Sequence, residues 1–135
     1  MSAFDFTVSG IPISAQAKSP KARASWKRSV ATAALVQGED AQPAATDEVS
    51  ATIIYFYEGD ADIDVDNIAK PILDALSGIA YIDDSQVTQV TIRKTPLTAG
   101  LLVNSPPPTL AAALEIEADF VYIRVAGPPN HRRLP

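Results

Sequence analysis

Apolar residues recur along the chain at two periods, and the places where the period changes mark the elements. Phe4 to Val8 is a short apolar-rich run closed by Gly10 and Pro12, the pattern of a first strand, and an irregular loop follows through Pro20. The spacing then lengthens to that of a helix. Trp26, Val30, Ala33 and Ala34 fall at i, i+4, i+7 and i+8, with Arg23, Lys27 and Arg28 largely to the other side. Residues 22–37 are therefore predicted as an amphipathic helix with a basic face, stopped by Gly38. The polar, Pro-containing stretch 39–47 reads as a loop. Val49, Ala51, Ile53, Tyr55 and Tyr57 restore a period of two, and because Ile54 and Phe56 are apolar too, this strand should be buried on both faces toward its end.

A second helical stripe, Ile68, Ile72, Leu73, Leu76 and Ile79, predicts a helix over 67–77 with Gly78 at its end. Pro71 does not break it if Asp66 is the N-cap, because the missing N–H is then only the first full intrahelical bond. Ala80 to Ile82 is short and apolar, Asp83 to Ser85 a turn, and Gln86 to Lys94 has the β-branched content of a strand. Residues 96–109, with Pro96, Gly100 and Pro106 to Pro108, read as a surface excursion. Leu114 to Val125 reads as a long closing strand with Glu115, Glu117 and Asp119 outward, and 127–135 as a disordered tail. The order strand, helix, strand, helix, strand, strand, without internal repeat, predicts an α+β fold: a two-layer sandwich in which a small mixed sheet carries helices packed on one face, with residues 1–126 as one domain.

At 135 residues, 47% of them hydrophobic, the chain holds one compact domain and excludes a two-domain enzyme with an organic cofactor. It has no Cys and a lone His131, so disulfides, zinc ribbons, thiol catalysis and histidine metal cages are excluded, and chemistry must run on carboxylates, Lys or hydroxyls. No apolar run approaches the roughly 18 to 20 residues that span a bilayer, and Asp5 stands where a secretory signal carries cations. A soluble, cytoplasmic protein without membrane contact is expected.

The net charge of −5 is unevenly distributed. Residues 1–28 hold Lys18, Lys21, Arg23, Lys27 and Arg28 against Asp5, whereas residues 29–92 hold twelve acids against Lys70 alone. Charge by itself favours a solvated acidic surface, but the same asymmetry suits a metal-dependent phosphodiester enzyme, with cations gripping phosphates and carboxylates holding a divalent ion.

Asp60, Asp62, Asp64 and Asp66 are spaced by two, so in an extended segment they share one face, where they repel unless a cation sits among them. An EF-hand loop fails on spacing. Starting it at Asp60, Asp62 or Asp64 puts Val65, Asn67 or Ala69 where Gly is needed, and Pro71, Leu73 or Ala75 where the bidentate Glu belongs. A site for Mg2+ or Mn2+ remains, with Asp83 and Asp84 as its other half if the intervening helix carries the chain back to the same sheet end. Lys70 lies four residues from both Asp66 and Asp74, which makes it either an i, i+4 salt-bridge partner or the cation that stabilises charge on a scissile phosphate.

The stretch DVDNIAKPILDALSGIAYIDDSQV, Asp64 to Val87, resembles the signature of the RusA family of Holliday junction resolvases: Asp-x-Asp-Asn-x-x-Lys, then Asp-Ala-Leu, then Asp-Asp-x-Gln. Asp64, Asp66, Asn67, Lys70, Asp74, Ala75, Leu76, Asp83, Asp84 and Gln86 stand where that pattern wants them, and GIPISAQAKSP with the Trp26 helix is more loosely similar to the family's opening. The resemblance implies a homodimeric, Mg2+-dependent endonuclease, with Mn2+ as a substitute, that nicks four-way DNA junctions symmetrically. It implies that Asp64, Asp66 and Asp84 bind the metal, with Asp83 as a further candidate, and that Lys70 is catalytic. Arg23, Lys27 and Arg28, with Lys18 and Lys21 on the loop, are the candidate phosphate contacts, and Trp26 is assigned to the core. Asn67 and Gln86 read equally well as orienting amides or as local structural residues. A same-fold nuclease for forks or flaps, and a non-catalytic branched-DNA-binding module, stand as alternatives.

Overall fold

The computed structural model describes residues 3–38, 43–100 and 103–134. Its order is β1 (Phe4–Ser9), α1 (Pro20–Gln37), β2 (Val49–Tyr57), α2 (Val65–Leu76), β3 (Val87–Pro96), α3 (Pro108–Leu114) and β4 (Phe120–Ala126), with single 3-10 turns at Asp84–Gln86 and Leu97–Ala99. The four strands form one mixed sheet in the order β1-β4-β2-β3, in which β2 and β3 are parallel and the other pairs antiparallel. This is the expected α+β class.

Local chemistry sets the helix ends. Ser19 caps α1, its hydroxyl accepting from the Ala22 N–H at 3.1 Å, and Pro20 occupies the first helical position, where its missing N–H costs nothing. Gly38 closes the helix against the Phe4 ring, where a Cβ would collide with the aromatic edge. Helix α2 starts at Val65 with Asp64 as N-cap, two residues before the start expected from Asp66. Pro71 therefore sits well inside it, and the carbonyl it leaves unbonded, that of Asn67, instead accepts from the Ala15 N–H at 3.0 Å. The proline thus ties the loop between β1 and α1 to the helix that carries the acidic motif.

The two predicted helices lie on one face, as expected. Trp26, Val30 and Ala34 of α1 and Ile68, Ile72 and Leu76 of α2 pack with Phe6, Val49, Ile53, Tyr55, Val121, Ile123 and Val125. The opposite face, carrying Phe56, Phe120 and Tyr122, is covered by α3 through Leu110 and Ala113. Helix α3 occupies the end of the expected 96–109 excursion and the residues after it, and its last residue is Leu114, where the closing strand is expected to begin. Pro108 opens a run of Ala and Leu, strong helix formers, and the apolar face of β2 and β4 gives that run something to bury against. Glu117 then takes a positive φ of 57°, which no strand accommodates, so β4 begins only at Phe120.

Candidate functional site

The segment that leaves β2 is held at its start and at its middle. Asp119 accepts from the Glu58 N–H at 3.0 Å and from the buried Tyr55 hydroxyl at 2.6 Å, and the Lys94 ammonium donates to the Ala61 carbonyl at 3.3 Å. Ala61 and Ile63 pack against the core while Asp60, Asp62 and Asp64 are exposed, an alternation that keeps the three acids on the solvent side of this irregular segment. Asp66 departs from it, because it stands in the first turn of α2. Both Asp64 and Asp66 complement the positive end of the helix dipole, and among the described residues neither carboxylate has a hydrogen-bond or ion-pair partner in the protein.

Asp83 and Asp84 enter from the other direction. Residue Val87, which opens β3, pairs with Val49, which opens β2, so α2 carries the chain back to the start of the sheet and not to the end where Asp64 lies. The expectation that both acid pairs meet at one sheet end is corrected by this parallel register. The pairs approach the exposed side of α2 from its two ends, and Lys70, midway along, connects with the second. Its ammonium lies 2.8 Å from Asp74 Oδ1 and 3.6 Å from Asp84 Oδ2, and it makes no ion pair with Asp66 among the described residues. Asp74 also takes the Lys27 ammonium of α1 at 3.6 Å, giving an ionic chain Lys27, Asp74, Lys70, Asp84. The hydrogen bond and charge of Asp74, and then Asp84, hold the Lys70 ammonium above the usual lysine range.

The turn bearing Asp84 is built by its neighbours. Asp83 caps it, accepting from the Ser85 N–H at 3.0 Å, and hydrogen bonding from Ser85 holds the Asp83 carboxyl below the usual carboxylate range. Gln86 uses its whole amide as a clamp. Its Oε1 accepts from the Ile82 and Asp83 N–H groups, each at 2.9 Å, and its Nε2 donates to the carbonyls of Ala45 and Asp47 at 2.8 and 2.7 Å. The structure therefore makes Gln86 a positioning residue for the Asp83–Asp84 turn. Tyr81, fully buried, donates to the Leu73 carbonyl at 2.5 Å, one of the acceptors orphaned at the end of α2, and its phenol is pushed upward by burial and by the charges of Asp84, Asp74 and Asp83. Replacing Gln86 with Ala should cost about 1 to 3 kcal/mol, because four backbone groups lose their partner. Urea denaturation checks this, and an unchanged midpoint would remove Gln86 from the positioning role.

The basic residues divide. Lys18, Lys21 and Arg28 are exposed, whereas Arg23 contacts the Ala17 carbonyl and Lys27 contacts Asp74, so the expected basic face is partly spent on internal contacts. Trp26 is buried, as expected for the core. The Lys27–Asp74 contact had no sequence signal, since it joins residues on separate helices. Among the described residues no three acids lie close enough to hold a metal ion by themselves, and no helix is long and apolar enough to cross a membrane.

A family model described as Endodeoxyribonuclease RusA matches residues 12–103, a stretch that takes in α1, β2, α2 and β3 together with the acids from Asp60 to Asp84. Among curated proteins none matches the chain.

Proposed function

Because the chain belongs to the RusA family of endodeoxyribonucleases, we propose that it resolves four-way DNA junctions by paired, symmetric nicks in an Mg2+-dependent reaction, acting as a homodimer. The observation that carries this reading is the approach of Lys70 to Asp84 at 3.6 Å, which unites the two halves of the family motif at one exposed surface.

The donor set suits the cation. Mg2+ binds through one or two carboxylates and keeps waters and substrate phosphate oxygens, so a preformed three-acid cage is not required. Asp64 and Asp66, exposed and without a protein partner among the described residues, would hold it, and Asp84 and the adjacent Asp83, which arrive from the other end of α2, would join them only through the waters and phosphate oxygens that the cation keeps. Mn2+ accepts the same hard ligands. When bound, the cation supplies charge neutralisation at the scissile phosphate and lowers the pKa of water.

The protein's own part lies in positioning and charge. Lys70, a cation at neutral pH, is exposed on α2 and can turn from Asp74 toward a phosphate oxygen, adding positive charge where negative charge develops. Asp74 keeps that ammonium charged and directed, and Lys27 shares Asp74 from α1. Lys18, Lys21 and Arg28 would meet flanking phosphates, with Arg23 and Lys27 shaping the same surface from their internal contacts. Two sites are needed for paired cuts on a pseudo-twofold substrate, which favours a twofold dimer. The exposed apolar side chains of Leu35 and Val36 on α1 favour self-association as well.

The test is strand cleavage of a synthetic immobile four-way junction beside a fork, a flap and a linear duplex of related sequence, in Mg2+ or EDTA. Paired nicks on the junction that need Mg2+ are expected. Faster cutting of the fork or flap would reassign the substrate, and tight junction binding without nicks in either Mg2+ or Mn2+ would withdraw the enzyme reading.

A further inference from the structure

The chain after β4 is tied to the same end of the sheet as the Asp84 turn. Ser50 donates to the Gly127 carbonyl at 2.9 Å, and His131 Nε2 lies 2.5 Å from Glu48 Oε2, which also accepts from the Thr88 hydroxyl. Glu48 follows Asp47, and Thr88 lies two residues beyond Gln86, so His131 is docked beside the Gln86 clamp. A turn around Asn130 holds the two residues after His131: the Asn130 side chain accepts from the Arg132 N–H at 3.1 Å and its carbonyl from the Arg133 N–H at 3.0 Å. Arg132 and Arg133 are exposed and make no ion pair among the described residues.

Resting on the proposed DNA cleavage, we infer that this docked C-terminal arm is a second phosphate-binding element, in which Glu48 and Thr88 hold His131 so that Arg132 and Arg133 grip the DNA backbone beside the Asp84 turn. The electrostatics of that end favour such an element. Asp47, Glu48, Asp83 and Asp84 crowd it with negative charge that repels a polyanion, and two of the basic residues of the N-terminal segment, Arg23 and Lys27, are engaged inside the protein. Arginine is also the side chain best shaped for phosphate, through its forked donors.

The inference is tested by binding of the four-way junction in EDTA over a range of NaCl concentrations, with the full chain. Each Lys or Arg contact with a duplex phosphate adds about 0.9 to the slope of log K against log salt, which is about eightfold in affinity at 0.1 M salt. The double variant R132Q/R133Q should lose about one to two units of slope, and R132K/R133K should restore it. Glu48→Ala supplies an opposite-sign check. By net charge alone it would tighten binding, whereas release of the docked arm weakens it. A wild-type slope in R132Q/R133Q, or tighter binding by Glu48→Ala, overturns the inference while leaving the nuclease reading intact. A wild-type protein that neither binds nor cuts junctions overturns the nuclease reading itself.

Discussion

Replacement of Asp84 by Asn is expected to lower nicking of a four-way junction at least about a hundredfold, the scale on which a lost electrostatic contribution to a charged transition state is felt, while junction binding stays the same or tightens. The substitution keeps the shape of the side chain and removes one negative charge. The turn around it is secured by Asp83, Ser85 and Gln86 and not by the Asp84 carboxylate, so the fold should be unaffected. The site changes in two ways. The oxygen donor set loses its charged member nearest to Lys70, and the ammonium, which lies 3.6 Å from Asp84, is left to Asp74 alone. Binding should not suffer, because a carboxylate that repels phosphate has gone. Measured side by side, single-turnover nicking and junction affinity separate these effects. Nicking at the wild-type rate would dismiss Asp84 from the chemistry, and a parallel loss of both would point to a misfolded turn.

The largest effect on stability is expected from Ile72→Ala. Ile72 is fully buried between α2 and the sheet, in the cluster formed with α1 and strands β1, β2 and β4. Removing its branched chain forfeits the transfer energy of the lost methyl groups and leaves a cavity, together about 2 to 5 kcal/mol. Against a whole-domain stability of about 5 to 15 kcal/mol, that is a large share. The same helix presents Asp66, Lys70 and Asp74 on its outer side, so the variant also shows how far the site depends on the packing beneath it. Urea unfolding monitored by circular dichroism reads the loss directly. A cost below about 1 kcal/mol would mean that α2 is held mainly by its ends and not by its buried face.

Much of this molecule is legible in local periodicity. The presence and order of β1, α1 and β2, the amphipathic α2, the turn at Asp83 and the strand after it all follow from spacings within a dozen residues, because a helix or strand must turn one set of side chains toward a core. The motif from Asp64 to Gln86 is equally local, and it is the part of the chain in which family membership is written as a contiguous pattern. Helix α3 escapes local reading for the complementary reason. Its seven residues begin at the last of three consecutive prolines and carry no polar face to mark a period, and what decides the matter is the uncovered face of β2 and β4, built from residues distant in sequence from Pro108 or paired only once the sheet forms.

The arrangement of the site belongs to the same second category. Spacing announces that Lys70 can reach Asp74, but not that Lys27 of α1 shares that carboxylate, nor that Gln86 clamps the Asp84 turn to the segment before β2, nor that His131 docks on Glu48, 83 residues away in sequence. Nor does it say at which sheet end each acid pair arrives, which depends on β2 and β3 being parallel. Side-chain type and period act over one or two turns of chain and so specify elements and candidate chemistry. Which elements become neighbours is settled by burial and strand pairing over the whole domain, and only that packing brings Lys27, Asp74, Lys70 and Asp84 into one ionic chain.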